Sequence, residues 1–207
     1  MIRVKICGIT SCEDAWVAVE AGADALGFIL VKGTPRYIEP EAAAIIAAQM
    51  PPFVVTVGVF IDRTPEEIDR IVSASGLSLA QLHGTESPTL CRRLRAPFVK
   101  AIRVQGEQDL EVLHTYPQAR AFLLDTYVAD RPGGTGRTFP WEIAAKAVRQ
   151  ARVILSGGLT PDNVALAVAQ VRPYAVDVCS GVEASPGRKD HQKVREFIEH
   201  ARKADTR

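Results

Sequence analysis

Short apolar runs alternate with longer stretches of helical periodicity along the whole chain. Runs of this length, rich in Val, Ile, Leu and Phe, predict strands buried on both faces, as in a parallel sheet. The predicted strands cover residues 4–7, 25–30, 54–60, 79–82, 98–102, 121–124, 152–155 and 176–178. The stretches between them predict helices, so the pattern indicates βα units and an α/β fold.

Capping residues mark the start of several predicted helices. These starts are Thr10 with Glu13, Thr64 with Glu67, Ser87 with Pro88, and Thr160 with Pro161. The first two pairs match the capping box, and the last two place a hydroxyl cap before a proline at the first helical position. Helices that start soon after each strand return across the sheet.

Eight units in 207 residues give about 26 residues per unit, close to the smallest size of a closed (β/α)8 barrel. No linker or change in composition divides the chain, so we expect a single-domain TIM barrel over residues 1–207. The alternative is a doubly wound sheet, which usually carries a glycine fingerprint after its first strand. The segment Cys7-Gly8-Ile9-Thr10 lacks that fingerprint, which weakens the alternative.

Charge and composition narrow the possible partners. The net charge is +1 with no long run of one sign, so neither nucleic acid nor an anionic membrane is an expected partner. The sequence has no leader-like start and no apolar stretch long enough to span a bilayer, and we expect a cytoplasmic protein. Four cysteines without a CxxC pair favour reduced thiols over disulfides or a zinc site.

Two reactive side chains fall at predicted strand ends. Cys7 ends the first strand and Asp125 follows the sixth, so a barrel would place them on opposite sides of its C-terminal mouth. There they would serve as base and acid toward one substrate. Asp125 as a simple loop cap is the alternative.

Glycines follow the seventh and eighth strands, at Gly157-Gly158 and at Ser180-Gly181. These loops are the usual phosphate site of the fold, because glycine lets backbone N–H groups approach an anion. Glycines that merely turn the chain are the alternative, and finding both loops at adjacent strand ends makes it the weaker one.

Further residues complete the predicted mouth. Arg36, on a loop stiffened by a proline, would form a bidentate contact with a carboxylate, although a lone loop arginine is often only solvated. Lys5 shares a strand face with Cys7 and would pair with Asp177 on the neighbouring eighth strand. Whether that pair tunes Cys7 or is only structural stays open, as does contact of His83 with substrate.

Motifs distributed over the chain, in order, resemble those of the phosphoribosylanthranilate isomerase family. They are Lys5-Ile6-Cys7-Gly8-Ile9-Thr10, Leu26-Gly27-Phe28, Pro35-Arg36-Tyr37, Val57-Gly58-Val59-Phe60, Gln81-Leu82-His83-Gly84, Leu124-Asp125-Thr126, Gly133-Gly134-Thr135-Gly136, Ser156-Gly157-Gly158-Leu159, Ser180-Gly181-Val182-Glu183 and Pro186-Gly187. The departures are small: Thr34, Cys179 and Arg188 stand where serine, a small polar residue and lysine are common.

The resemblance implies a TIM-barrel isomerase of tryptophan biosynthesis. Its reaction would be the Amadori rearrangement of N-(5-phosphoribosyl)anthranilate to 1-(2-carboxyphenylamino)-1-deoxyribulose 5-phosphate. Asp125 would be the acid, Cys7 the base, Arg36 the carboxylate ligand, and the two glycine loops the phosphate site. No cofactor or metal is implied. The partner would be the phosphorylated aminosugar alone, and the chain would be a monomer or a homodimer.

Three other functions are alternatives to this one. A metal-dependent epimerase would cluster histidine and carboxylate ligands at the strand ends, where only His83 qualifies. A Schiff-base enzyme would use Lys100 in the fifth strand. A non-catalytic barrel that binds a phosphometabolite would not need the acid and base positions.

Overall fold

The computed structural model describes residues 1–126 and 140–206. Eight parallel strands close into a barrel in sequence order, and the last strand pairs with the first. The strands are β1 Arg3–Cys7, β2 Ala25–Ile29, β3 Val55–Phe60, β4 Leu79–Leu82, β5 Phe98–Val104, β6 Phe122–Thr126, β7 Val153–Leu155 and β8 Ala175–Val178. The predicted TIM-barrel fold is confirmed.

Helices lie between successive strands and after the last one. They are α1 Cys12–Glu20, α2 Pro40–Ala47, α3 Pro65–Ala74, α4 Pro88–Cys91, α5 Trp141–Ala147, α6 Val164–Val171 and α7 His191–Ala204. Two connections depart from a regular βα unit. The helix α4 is a single turn, and β5 and β6 are joined by a 3₁₀ helix over Glu107–Thr115.

Two of the four predicted helix starts are confirmed. Thr64 and Glu67 form the reciprocal capping box, and the Ser87 hydroxyl accepts from the backbone at the start of α4. The other two are wrong. Ser11 caps α1, while the Thr10 hydroxyl instead donates to the Gly187 carbonyl at 2.5 Å. Thr160 begins a turn, and α6 starts only at Val164.

Apolar side chains fill two concentric layers. Outward-facing strand residues such as Phe28, Phe60 and Leu124 pack against the helices in the larger core. Inward-facing residues, centred on Leu123 and Ile154, form a smaller cluster inside the barrel. Side chains alternate along a strand, so every second residue points into the barrel. These inward-facing residues are apolar near the start of the strand, and the last of them lies at the C-terminal mouth.

A short hairpin follows β8. It consists of β9 Glu183–Ser185 and β10 Arg188–Lys189. The Lys189 amide donates to the Asp14 carboxylate at 3.1 Å, which ties the hairpin to α1. The hairpin therefore flanks the mouth beside β1.

No helix within the described ranges is long and apolar enough to cross a lipid bilayer.

Candidate active site

One cavity at the C-terminal ends of the strands gathers every predicted site residue. Its volume is about 100 Å³. The predicted residues that line it are Cys7, Arg36, His83, Asp125, Gly157, Gly158, Asp177, Ser180 and Gly181. Residues up to 174 positions apart in sequence thus share one mouth (Cys7 and Gly181), which is what closure of β8 on β1 produces.

Cys7 lies at the end of β1 and is only 5% exposed. Below it, the Lys5 ammonium donates to Asp177 Oδ1 at 2.7 Å, and the Ser156 hydroxyl donates to Asp177 Oδ2 at 3.0 Å. The predicted Lys5–Asp177 pair is therefore present. Gly27 on β2 leaves room for the thiol, since a β-carbon there would lie 2.6 Å from Cys7 Sγ and 3.0 Å from Lys5 Nζ.

The surroundings of Cys7 lower its pKa below the ordinary thiol range. The largest cause is a hydrogen-bonding contact with Cys179, and the nearby Lys5 charge acts in the same direction against the effect of burial. Burial alone would lower the pKa of Lys5, but the charges of Asp177 and Cys7 outweigh it and raise that pKa. Lys5 therefore stays a cation beside the thiol, and a thiolate is favoured at Cys7.

Asp125, 7% exposed, lies at the end of β6 across the mouth from Cys7. Its Oδ1 accepts from the Thr126 amide at 2.8 Å, and its Oδ2 lies 3.2 Å from His83 Nε2. The Gln81 amide nitrogen lies 2.9 Å from His83 Nδ1. The ring of His83 therefore bridges the Gln81 amide and the Asp125 carboxyl group. The pair Gln81 and His83 thus fixes the carboxyl group of Asp125.

The loop after β7 requires glycine at position 157. Its φ is +83°, and a β-carbon there would lie 2.8 Å from Asp125 Oδ1. Within the described part of the chain, the amide N–H groups of Gly157 and Gly158 donate no hydrogen bond. Two unengaged amides on one loop are suited to a phosphate or carboxylate.

Arg36 reaches the mouth from the loop after β2 and is held by an acid. Its Nε and Nη2 donate to the two oxygens of Glu183 at 2.8 and 2.6 Å. Lys189 contacts the same carboxylate at 3.1 Å. Burial raises the pKa of Glu183, but Arg36 and Lys189 together outweigh burial and lower it. One carboxylate thus holds Arg36 and is shared with a second cation.

Lys100 does not belong to the mouth. It is 3% exposed and sits on the outer face of β5, where its ammonium pairs with Glu86 at 2.9 Å and donates to the Gly84 carbonyl at 2.8 Å. The neighbours on the same strand face, Phe98 and Ile102, belong to the outer core. The Schiff-base alternative is therefore wrong, because the Lys100 amine is buried between the barrel and its helices and does not reach the cavity.

A larger cavity, of about 590 Å³, opens at the opposite end of the barrel. Apolar residues such as Val57, Leu79 and Ile154 line it, with Arg3 and Arg152 at its rim. It contains neither Cys7 nor Asp125. The thiol and the carboxyl group that the sequence singles out therefore both line the smaller, polar cavity.

Within residues 1–126 and 140–206, no group of three His, Cys, Asp or Glu side chains is arranged to hold a metal ion. The expectation that no metal is needed stays a prediction. The motif Gly133-Gly134-Thr135-Gly136 lies outside the described residues.

Sequence reasoning missed several residues of the mouth. Ser156, Gln81 and Cys179 line the cavity, Glu183 holds Arg36, and Lys189 pairs with the same carboxylate. Strand alternation from His83 could have found Gln81, and alternation from Asp177 could have found Cys179. Lys189 gave no such signal, because its place depends on the hairpin after β8.

A closed βα-barrel with a thiol and a carboxyl group across its mouth, beside glycine loops, is typical of barrel enzymes that move protons on anionic substrates. A family model described as N-(5'-phosphoribosyl)anthranilate (PRA) isomerase matches residues 4–200. The chain belongs to this family.

Individual relatives agree with the family model. An N-(5'-phosphoribosyl)anthranilate isomerase of Geobacter sp. (strain M21) is 55% identical over 203 residues, covering 98% of this chain and 99% of the relative. A crystal structure of monomers of the dimeric phosphoribosylanthranilate isomerase of Thermotoga maritima has a TM-score of 0.88 and 43% identity, covering 98% of this chain and 100% of that one. A structure of a phosphoribosyl anthranilate isomerase with reduced 1-(o-carboxyphenylamino)-1-deoxyribulose 5-phosphate has a TM-score of 0.89 and 45% identity, covering 98% and 100%.

Proposed function

We propose that this chain isomerises N-(5-phosphoribosyl)anthranilate to 1-(2-carboxyphenylamino)-1-deoxyribulose 5-phosphate by general acid–base catalysis. The reaction is an Amadori rearrangement, in which an aldose-derived aminosugar becomes a ketose without gain or loss of atoms. Proton donors and acceptors suffice for it, and the mouth supplies both. The phosphorylated aminosugar is the only partner that the proposal requires.

Asp125 acts first, as the acid. Its carboxyl group gives a proton to the ribose ring oxygen, the C1–O bond breaks, and the nitrogen lone pair forms an iminium at C1. The fixed orientation supports this role, because His83 and the Thr126 amide hold the carboxyl group at 3.2 and 2.8 Å. A positioned acid contributes on the order of 10²–10⁴-fold to such a step.

Cys7 acts next, as the base. Its thiolate removes the C2 proton, and the C–H electrons form the C1=C2 bond while the iminium electrons return to nitrogen. The resulting enolamine then tautomerises to the ketone. The lowered pKa of Cys7 supports this role, because a base must be deprotonated near neutral pH to accept a proton.

The two ends of the substrate meet different chemistry. The amides of Gly157 and Gly158, with the loop at Ser180 and Gly181, would receive the phosphate. Arg36 would receive the anthranilate carboxylate, in exchange for part of its contact with Glu183. Asp177 contributes through Lys5 and Ser156, which it holds beneath the thiol.

The assembly and location follow the family expectation. The active unit is a monomer or a homodimer in the cytoplasm, working on a small molecule and not on nucleic acid.

The observation that carries the proposal is the placement of Cys7 and Asp125 in one cavity with two unengaged glycine amides. The test is a fluorescence assay of purified protein with freshly made phosphoribosylanthranilate, because substrate and product differ in emission. Turnover with product identified by mass spectrometry is expected. Tight binding of the substrate without turnover would instead assign the chain as a binding protein.

A further inference from the structure

A second thiol faces Cys7 across the seam where the barrel closes. The β1–β8 pairing sets Lys5 opposite Asp177 and Ile6 opposite Val178, and Cys7 and Cys179 are the residues that directly follow this paired stretch. Both cysteines line the same cavity and neither is in a disulfide. A β-carbon at position 8, directly after Cys7, would lie 2.8 Å from Cys179 Sγ. Two reduced thiols thus share one corner of the mouth.

Charged and titratable groups surround this corner from four elements. They are Lys5 on β1, Arg36 after β2, Asp177 on β8, and Glu183 and Lys189 on the hairpin. Lys5 lies nearest to Cys7, since both approach the same point beside Gly27. The side chain of Cys179 instead faces Glu183, whose Oε1 lies 3.9 Å from its sulfur.

This arrangement separates the roles of the two thiols. A negative charge on Cys7 meets the ammonium of Lys5. A negative charge on Cys179 would lie near Lys189, whose ammonium donates to the Cys179 carbonyl at 3.2 Å, but it would also meet the negative charges of Glu183 and Cys7. Cys179 therefore keeps its proton, and two acceptors for the thiol lie nearby, Glu183 and Cys7. Glu183 is at the outer limit of distance for a sulfur donor and is already occupied by Arg36 and Lys189. The other acceptor at this corner is the sulfur of Cys7, which as a thiolate carries a full negative charge.

We propose that Cys179 is a positioning residue whose thiol donates a hydrogen bond to the Cys7 thiolate and so holds the base in its deprotonated form. The catalytic consequence rests on the proposed function, but the hydrogen bond itself does not. The opposed pKa directions of the two thiols, lowered at Cys7 and raised at Cys179 by their mutual contact, agree with this assignment. A donor to a charged acceptor stabilises that charge more than a donor to a neutral one.

The experiment compares native protein with Cys179→Ala, which removes the donor, and Cys179→Ser, which replaces the thiol by a hydroxyl. The rate of iodoacetamide reaction at Cys7 is followed from pH 5 to 10, with each cysteine peptide resolved by mass spectrometry. The midpoint for Cys7 should rise by about one pH unit in Cys179→Ala and move much less in Cys179→Ser. Cys91→Ala is the matched control, because that buried thiol lies outside the mouth.

Kinetics supply a second, independent reading. A base is active when deprotonated, so kcat/KM falls as pH falls through the pKa of Cys7. In Cys179→Ala the fall of kcat/KM at low pH should shift to higher pH by the same amount as the alkylation midpoint. The plateau value of kcat/KM at high pH should stay within about threefold of native. Thermal melting of each variant verifies that it is folded before comparison.

Distinct outcomes separate the failures. An unchanged alkylation midpoint in Cys179→Ala, or equal shifts in the Ala and Ser variants, overturns the hydrogen bond. A large loss of kcat/KM at high pH without a shift of its pH dependence would show that Cys179 is only structural, which also overturns the proposal. A shifted alkylation midpoint in a protein that turns over no phosphoribosylanthranilate supports the thiol pair and contradicts only the proposed function.

Discussion

The two ends of the barrel are built from the same eight strands but have opposite character. The C-terminal mouth is a cavity of about 100 Å³ crowded with ion pairs and hydrogen bonds, whereas the N-terminal end opens into about 590 Å³ lined mainly by apolar side chains. On β6 the change takes one step of the pleat, from Leu123 inside to Asp125 at the mouth. Chemistry and stability are thus assigned to neighbouring positions of one strand, and substitutions can separate them.

The largest effect should follow from removing the acid or the base at the mouth. Asp125→Asn and Cys7→Ala should each reduce kcat by about 10²-fold or more, because a proton donor or acceptor is lost at a reacting atom. Urea unfolding should stay close to native, and Cys91→Ala should keep near-native turnover. Near-native kcat in either mouth variant contradicts the assigned roles.

A smaller effect should separate the two ends of the substrate. Arg36→Met should raise KM about tenfold to a hundredfold, since a hydrogen bond to a charged group is worth roughly 1.5–3 kcal/mol. Inorganic phosphate should inhibit the variant and the parent with similar Ki. Arg188→Met, at an exposed arginine of the hairpin, controls for the loss of one positive charge. Equal weakening of phosphate and substrate would place Arg36 in the phosphate site instead.

On the interior side of β6, Leu123→Ala should show the reverse pattern from Asp125→Asn. Leu123 is fully buried in the inner cluster, and its truncation should lower the free energy of unfolding by about 2–5 kcal/mol. At a temperature where the variant is folded, kcat/KM should stay within a few-fold of native. Loss of activity as large as that of Asp125→Asn would show that the two ends are not separable.

The smallest effect is expected from chelation. Activity should survive exhaustive treatment with EDTA, because the proposed steps use only the acid and base of the mouth. A loss of activity that a divalent ion restores would revive the epimerase alternative.

The strands were predictable because each is a short apolar run, and the extended conformation of such a run does not depend on distant contacts. The helix starts were only partly predictable. Thr64 and Glu67 form their capping box from neighbouring residues. The Thr10 hydroxyl instead donates to the Gly187 carbonyl, 177 residues away in sequence. Local pattern could not foresee that competition.

The site shows the same division. Cys7, Asp125 and the glycine loops follow from their places at strand ends, and strand alternation correctly paired Lys5 with Asp177. The bond between Arg36 and Glu183 spans 147 residues and depends on the fold of the hairpin after β8. No sequence spacing encodes it, so Arg36 was predicted without its partner.

The seam between the first and last strands has a consequence for how the protein folds. Lys5 and Asp177 are separated by 172 residues, so the surroundings of Cys7 are completed only when the two ends of the chain meet. Contacts of such long range form late, because loop closure must precede them. During refolding from urea, activity should therefore return more slowly than far-ultraviolet circular dichroism, and the reactivity of Cys7 toward alkylation should report the final closure of the barrel.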